Sequence, residues 1–187
     1  MRLGTPADAV PVAALVTAAY RGDSSRRGWT HEADLVEGRR TTEAEVAALA
    51  AGPDSLLLIA SCQEALVGCC ALRAESAESA TFGLFAVDPA RQRGGVGGLL
   101  LSAAEEVAAA SFGAERLRIL VLRQRPELVA FYRRRGYGPT GETAPFAVDP
   151  FVDRPLRDDL EFVVFDKALG PRDRAAVDSD GGWVQSR

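Results

Sequence analysis

Three groups of residues in this 187-residue chain have types and spacings that could do chemistry. The first is Gly94-Gly95-Val96-Gly97-Gly98, four glycines in five positions, entered through Gln92 and Arg93 and followed at once by "LLLSAAEEVA". Glycine lets backbone N–H groups come close to a ligand, and the first turn of a helix carries donors with no partner inside the helix. A glycine turn feeding a stiff helix is therefore a cradle for an anion such as a pyrophosphate. The second group is Phe131-Tyr132 in "RPELVAFYRRRGYGPTGE", with Arg134 close behind. A phenol is protonated at neutral pH and can donate to a leaving group; the alternative is a core aromatic with a structural hydrogen bond. The third group is scattered: Glu32, Glu75 and Glu78 could take a proton directly or through a water, and His31 is the only histidine. Surface carboxylates are common, and a lone histidine is more often a solvated loop residue than a base.

The elements that must hold these groups are legible as pattern. "PADAVPVAALVTAAY" (6–20) has helical spacing behind Thr5-Pro6, and "TTEAEVAALA" places Glu45 three residues after Thr42, a capping-box signature. The polar stretch between them reads as a loop with a short helix at 30–37. "SLLLIASC", "ALVGCCALRAE" and "SATFGLFAV" read as three strands of an antiparallel meander, the last stopped by Asp88-Pro89. A helix at 96–111, a strand at 116–122, a helix at 126–135, a strand after Gly136 and a strand at 160–169 follow. The order β-α-α-β-β-β-α-β-α-β-β defines an α+β fold, an α/β/α sandwich with a mixed, mostly antiparallel sheet and helices on both faces. Residues 1–170 form one domain, and 171–187 are a polar tail with Trp183 as a tether.

Which anion the cradle takes is narrowed by what is missing. A dinucleotide fingerprint needs a third glycine where Leu100 stands, and a nucleotide phosphate loop needs a lysine, whereas Lys167 is the only lysine in the chain. The remaining pattern, Q/R-x-x-G-x-G/A, is met by Gln92-Arg93-Gly94-Gly95-Val96-Gly97. With Phe131, Tyr132, Gly136 and Tyr137 in register with N-x-x-A-x-x-F-Y-x-K-x-G-F, the chain resembles the bacterial members of the GNAT superfamily of acetyl-CoA-dependent N-acetyltransferases. Arg125 and Leu128 depart from the asparagine and alanine of that pattern.

The resemblance implies acetyl-CoA as cosubstrate, held by Phe85, Ala86 and Val87 on the fourth strand, by Gln92, Arg93, Gly94, Gly95, Val96, Gly97 and Gly98, and by Phe131, Tyr132 and Arg134. It implies Tyr132 as the acid toward the leaving thiolate and a backbone N–H of 85–87 as the oxyanion donor. Glu78 and Glu32 stand as candidate bases. The loop 24–41 falls where the superfamily shapes its acceptor site, and Trp29, Glu32 and Arg40 would suit a small, zwitterionic amine. Phe146, Pro150 and Phe151 either close the same pocket or only join strands. The function implied is acetyl transfer to a primary amine of a small molecule such as an amino acid, a polyamine or a drug-like amine. A non-catalytic acyl-CoA-binding or sensing module, and a protein lysine or N-terminal acetyltransferase, stay open beside it. A homodimer is common on this fold, though the sequence shows no interface.

Bulk properties exclude several other classes. Net charge is −4, so no chain-wide basic field points to nucleic acid. No apolar run approaches the ~18 residues of a membrane span, and "MRLGTPADAV" has no apolar signal core, so the expectation is a soluble, cytoplasmic protein. Cys62, Cys69 and Cys70 fit neither a disulfide framework nor a zinc cluster and read as strand thiols, with no metal site expected.

Overall fold

In the computed structural model, which describes residues 1–146 and 153–170, the elements follow the expected order. They are β1 (Arg2–Leu3), α1 (Ala9–Tyr20), α2 (Gly22–Ser25), β2 (Val36–Gly38), α3 (Glu43–Ala51), β3 (Ser55–Cys62), β4 (Ala65–Ala74) and β5 (Ser79–Val87). Then come α4 (Val96–Phe112), β6 (Arg116–Leu122), α5 (Pro126–Arg133), β7 (Gly138–Pro145), β8 (Asp153–Pro155) and β9 (Glu161–Ala168). Pro150, Phe151 and the tail with Trp183 lie outside the described residues.

Seven strands form one sheet in the order β1-β3-β4-β5-β6-β9-β7, and every pairing except β5 with β6 is antiparallel. Alternate residues of β3 point to opposite faces, so each face has its own core. Leu58 and Ala60 join Leu72, Phe82, Leu100, Leu101, Ala104 and Val107 under α4, where α5 also packs. Leu57 and Ile59 meet Val12, Val16 and Val46 of α1 and α3 on the other face. Burying Leu100 and Leu101 contributes about 1.5–3 kcal/mol each. The capping box forms as its spacing requires: Thr42 Oγ1 accepts from Glu45 N–H at 3.2 Å, and Glu45 Oε2 accepts from Thr42 N–H at 2.7 Å.

One expectation about the connections fails. Instead of a helix at 30–37, residues 30–35 form an irregular stretch and turn leading into β2, and β2 pairs with β8 as a separate two-stranded ribbon. Its apolar side packs Val36 with Leu122 and Leu160, beside Leu35, Phe146 and Phe162. Tertiary pairing overrides the local helical pattern here, because Val36 gains burial in the ribbon that an isolated loop helix would not supply.

The central sheet opens at one place. β5 and β6 pair from Ser79↔Arg116 to Phe82↔Ile119, and the pairing then ends although both strands continue. On its other edge β5 carries an irregularity between the pairs Cys69↔Ala86 and Ala71↔Gly83, and Leu84 takes φ +46°. Bulges bend a strand and increase its twist. The last residues of β5 thus diverge from β6 and leave a gap at the end of the sheet where α4 begins.

Candidate active site

At this end of β5 lies a cavity of about 490 Å³, lined by Phe85 to Val87, the glycine turn into α4, Tyr20 of α1 and residues of α5. Arg93 and Gly95 have φ +71° and +84°, a left-handed pair that turns the chain from the end of β5 into α4. Leu99 N–H is the first to bond back, to Gly95 O at 3.1 Å, so the N–H groups of Val96, Gly97 and Gly98 precede the helical ladder. A Cβ at Gly97 would lie 3.2 Å from Phe85 Cζ, and one at Gly98 would lie 3.1 Å from Arg135 Nη2. Glycine at these positions keeps the backbone bare to the cavity. The positive end of a 17-residue helix dipole adds to the field there.

Cations and aromatic rings complete this end. Arg93, Arg134 and Arg135 all line the cavity. The Arg135 guanidinium lies 3.6 Å from the Phe131 ring centroid and donates to Phe131 O at 3.1 Å, a stacked geometry that fixes it beside the cradle. Phe85, Phe131 and Trp29 form an aromatic wall, with Phe131 5.9 Å from Trp29 and 6.1 Å from Phe85 between ring centroids. Phe85, Ala86 and Val87 line the same space along the open edge of β5, as do Gly95, Gly97 and Gly98.

Tyr132 stands behind Phe131. It is 3% exposed, with its ring edge-on to Phe131 at 5.2 Å and to Tyr137 at 5.8 Å. Burial pushes its phenol well above the ordinary value, and the Tyr20 phenol adds to that shift while the Arg125 guanidinium opposes it. Tyr20 and Arg125 both line the cavity, whereas Tyr132 lies behind Phe131 and is not one of its lining residues. Tyr20 itself donates to Phe85 O at 2.7 Å, tying α1 to the open strand.

Two expected roles are redistributed by the geometry. The Gln92 side chain is engaged within the protein: its Oε1 accepts from Trp29 N–H at 2.6 Å and Thr30 N–H at 3.2 Å, and its Nε2 donates to Val87 O at 3.2 Å. Gln92 thereby pins the 29–30 loop onto the cradle. Glu32 is 6% exposed and clamped by two arginines, with Oε2 2.5 Å from Arg21 and Oε1 2.7 Å from Arg125. Burial alone would raise its pKa, but Arg125, Arg40 and Arg21 outweigh burial and hold the carboxyl below the ordinary value. A carboxylate so held is a poor proton acceptor, which corrects its reading as a base and as a partner for a substrate ammonium. Trp29, Glu32 and Arg40 therefore do not converge: Trp29 lines the cavity, Glu32 is internal, and Arg40 lines a second cavity beyond Tyr20.

Glu78 and Glu75 are corrected on distance. Glu78 immediately precedes β5, whereas the cavity is at that strand's other end, roughly 25–30 Å away at the rise of an extended strand. Its carbonyl accepts from the N–H groups of Glu115 and Arg116 there. Glu75 stands 3.7 Å from Arg118, and His31 lies 3.9 Å from Asp34 in the loop.

Sequence reasoning missed Tyr20, Arg125 and Arg135. Arg125 is 5% exposed; besides Glu32 it donates to Thr30 Oγ1 at 2.6 Å, and its guanidinium lies 5.6 Å from the Tyr20 ring centroid. Thr30 in turn donates to Glu127 Oε1 at 2.7 Å, and Arg21 reaches Asp153 at 2.9 Å. One buried network thus joins α1, the 30–32 loop, the start of α5 and β8. The departure of Arg125 from the family pattern was the available signal.

Comparison with known proteins agrees with this architecture. Residues 53–139, from β3 through the start of β7, match the family model of the acetyltransferase (GNAT) domain. No curated protein sequence matches the chain. Among solved structures, an aminoglycoside 6'-N-acetyltransferase complexed with coenzyme A superposes with TM-score 0.64 at 17% identity, covering 92% of this chain and 99% of that one. Ard1 from Thermoplasma volcanium gives TM-score 0.65 at 17% identity over 91% and 97% of the two chains. A GNAT family acetyltransferase from Elizabethkingia anophelis with acetyl-CoA bound gives 0.55 at 17% identity over 71% and 86%. The fold is that of the GNAT acetyltransferases, mixed α+β around a mostly antiparallel sheet. The match to the acetyltransferase (GNAT) family model is confined to residues 53–139, and the solved structures share the fold over most of the chain. Among the described residues no helix is long and apolar enough to cross a membrane.

Proposed function

We propose that this protein is an acetyl-CoA-dependent N-acetyltransferase acting on the primary amine of a small molecule. The observation that carries the reading is the single cavity running from the N-terminus of α4 to the open edge of β5 and the inner face of Tyr20. The cradle fits the cosubstrate, because bare glycine backbone, the helix N–H groups of residues 96–98 that have no partner among the described residues and nearby arginines suit a pyrophosphate. Gly94 and Arg134 belong to that end. The free edge of Phe85, Ala86 and Val87 supplies main-chain groups for the pantetheine arm and an oxyanion donor for the tetrahedral carbonyl. The aromatic wall of Phe85, Phe131 and Trp29 excludes water from the arm.

The reaction is one direct transfer. The neutral amine attacks the thioester carbon, the N–C bond forms, the C–S bond breaks, the nitrogen loses a proton and the sulfur gains one. Holding both reactants in line supplies several kcal/mol of the barrier without a covalent enzyme intermediate. Tyr132, held protonated by burial close to the Tyr20 and Arg125 that line the cavity, supplies the sulfur's proton. Tyr132→Phe should lower kcat about tenfold to hundredfold with acetyl-CoA affinity within about twofold of wild type. This is at or below the lower end for general acid catalysis, because a thiolate is already a good leaving group. Steady-state rates and calorimetry on the variant check it; unchanged kcat returns Tyr132 to a structural role.

The function itself is tested by release of CoA thiol from acetyl-CoA against a panel of amines. Amine-dependent release is expected. Acetyl-CoA binding without turnover on any small amine or peptide would favour a non-catalytic sensing module, and turnover only on peptide amines would favour protein acetylation.

A further inference from the structure

We propose that the acceptor amine carries a carboxylate, bound by Arg40 and Arg73 in the second cavity of the domain; this rests on the acetyltransferase reading and narrows its substrate class. That cavity, about 270 Å³, lies on the α1/α3 side of the sheet and is lined by Arg40, Arg73, Glu45, Thr81, Gly83 and Leu84, among others. It adjoins the acetyl-CoA cavity along two seams. On β5, Leu84 lines the second cavity and Phe85 the first; across from them Arg40 lines the second and Tyr20 the first, with Arg40 5.5 Å from the Tyr20 ring centroid. The bulge at Leu84 is where the strand passes between them. An acceptor in the second cavity thus has its nitrogen facing the acyl end of the first.

The charged residues lining this cavity are two arginines and one glutamate. Arg73 is exposed, and among the described residues its guanidinium makes no hydrogen bond or ion pair; only its carbonyl is engaged, accepting from Thr81 Oγ1 at 3.5 Å. Arg40 lies over the face of Tyr20 and near the carboxylates Glu32 and Glu45, of which Glu32 already has both oxygens held by Arg21 and Arg125. Glu45 also lines the cavity, but its carboxylate accepts from Thr42 N–H at 2.7 Å and Thr41 Oγ1 at 3.0 Å in the capping box. Arg118, one strand over, pairs with Glu142 at 2.6 Å. Two guanidiniums are therefore left to face the cavity, beside the Thr81 hydroxyl. Guanidinium forks match the geometry of a carboxylate and repel a second ammonium. A polyamine or polycationic antibiotic is disfavoured by the same pair. Gly83 leaves the floor bare: a Cβ there would meet nothing within 4 Å.

The test uses acceptors that differ only in the carboxylate: phenylalanine against phenethylamine, leucine against isoamylamine, and ornithine against putrescine. CoA thiol release is measured for the wild type, Arg73→Gln and Gly83→Gln. The carboxylated member of at least one pair should be preferred about tenfold or more in kcat/KM. Arg73→Gln should bring that ratio close to one through KM rather than kcat, and Gly83→Gln should raise KM by filling the floor. The Arg73 guanidinium has no partner to lose among the described residues, so its variant keeps the fold. Equal or inverted efficiency in every pair, or a ratio indifferent to Arg73→Gln, overturns the proposal and leaves the acetyltransferase reading standing. If acetyl-CoA binds but no amine is turned over, that reading falls instead. The carboxylate site is then judged by titrating the three amino acids into acetyl-CoA-loaded protein, where binding weakened by Arg73→Gln supports it and absence of such binding overturns it.

Discussion

Gly97→Glu is expected to weaken acetyl-CoA binding at least about 100-fold, or about 2.7 kcal/mol, while the protein remains folded. Gly97 sits in the first turn of α4 with a Cβ position 3.2 Å from Phe85 Cζ and 3.8 Å from Phe131 Cζ and Val87 Cγ2. A side chain there projects into the cavity that these residues line. Two like charges about 5 Å apart cost about 3 kcal/mol at an effective dielectric of about 20, which alone accounts for the loss. The backbone at Gly97 is helical, and glutamate is a better helix former than glycine by about 0.5–1 kcal/mol, which offsets the local displacement of the Phe85 ring. The melting temperature should therefore stay within about 3 °C of wild type. Calorimetric titration of acetyl-CoA, with a thermal melt on the same sample, separates the two effects. Undiminished affinity in a folded variant would place the pyrophosphate elsewhere.

Arg125→Ala is expected to act on stability first, by about 3–5 kcal/mol. Arg125 and Glu32 are both almost wholly buried, and Arg125 also holds Thr30 and stacks on Tyr20. Its removal leaves one Glu32 oxygen without a donor in an environment that penalises the charge. At about 2–4 °C per kcal/mol for a domain of this size, the melting temperature should fall by roughly 10 °C. The sign with pH follows from Glu32. Its folded pKa is depressed, so its stabilising contribution is present above the ordinary carboxylate pKa and is lost as pH falls through the depressed value. Without Arg125 that acid-side loss should begin at a higher pH. Thermal melts of both proteins from neutral to acidic pH test this, and superimposable melting curves would show that the network does not hold the site together.

The pattern of elements was readable because each depends on local spacing. The apolar runs of β3, β4 and β5, the Asp88-Pro89 stop, the Thr42–Glu45 cap and the change from glycine to alanine and leucine at α4 are short-range signals, and all recur in the fold. What the sequence hid depends on long-range meetings. β2 and β8 are three residues each and pair across more than a hundred positions, so neither carries enough pattern to announce itself. Arg125 meets Glu32 across 93 positions, which turned a candidate base into the centre of an ion-pair network. Gln92 meets Trp29 and Thr30 across 63 and 62 positions, engaging a side chain that the motif suggested was free for the cosubstrate. Glu78 was placed beside the chemistry by its closeness to the right strand, but a strand carries its two ends far apart, and the opening is at Val87. The glycine motif was legible as a turn into α4 because backbone conformation is what glycine spacing encodes directly: Gly95 takes φ +84° and caps that helix.

The most direct measurement is a crystal structure of the protein with coenzyme A. The account predicts the pyrophosphate within hydrogen-bond distance of the N–H groups of residues 95–98, the pantetheine along Phe85 to Val87, and the sulfur within about 3.5 Å of the Tyr132 hydroxyl. Coenzyme A bound with its pyrophosphate away from α4, or with its sulfur on the far side of the Phe131 ring from Tyr132, would contradict it.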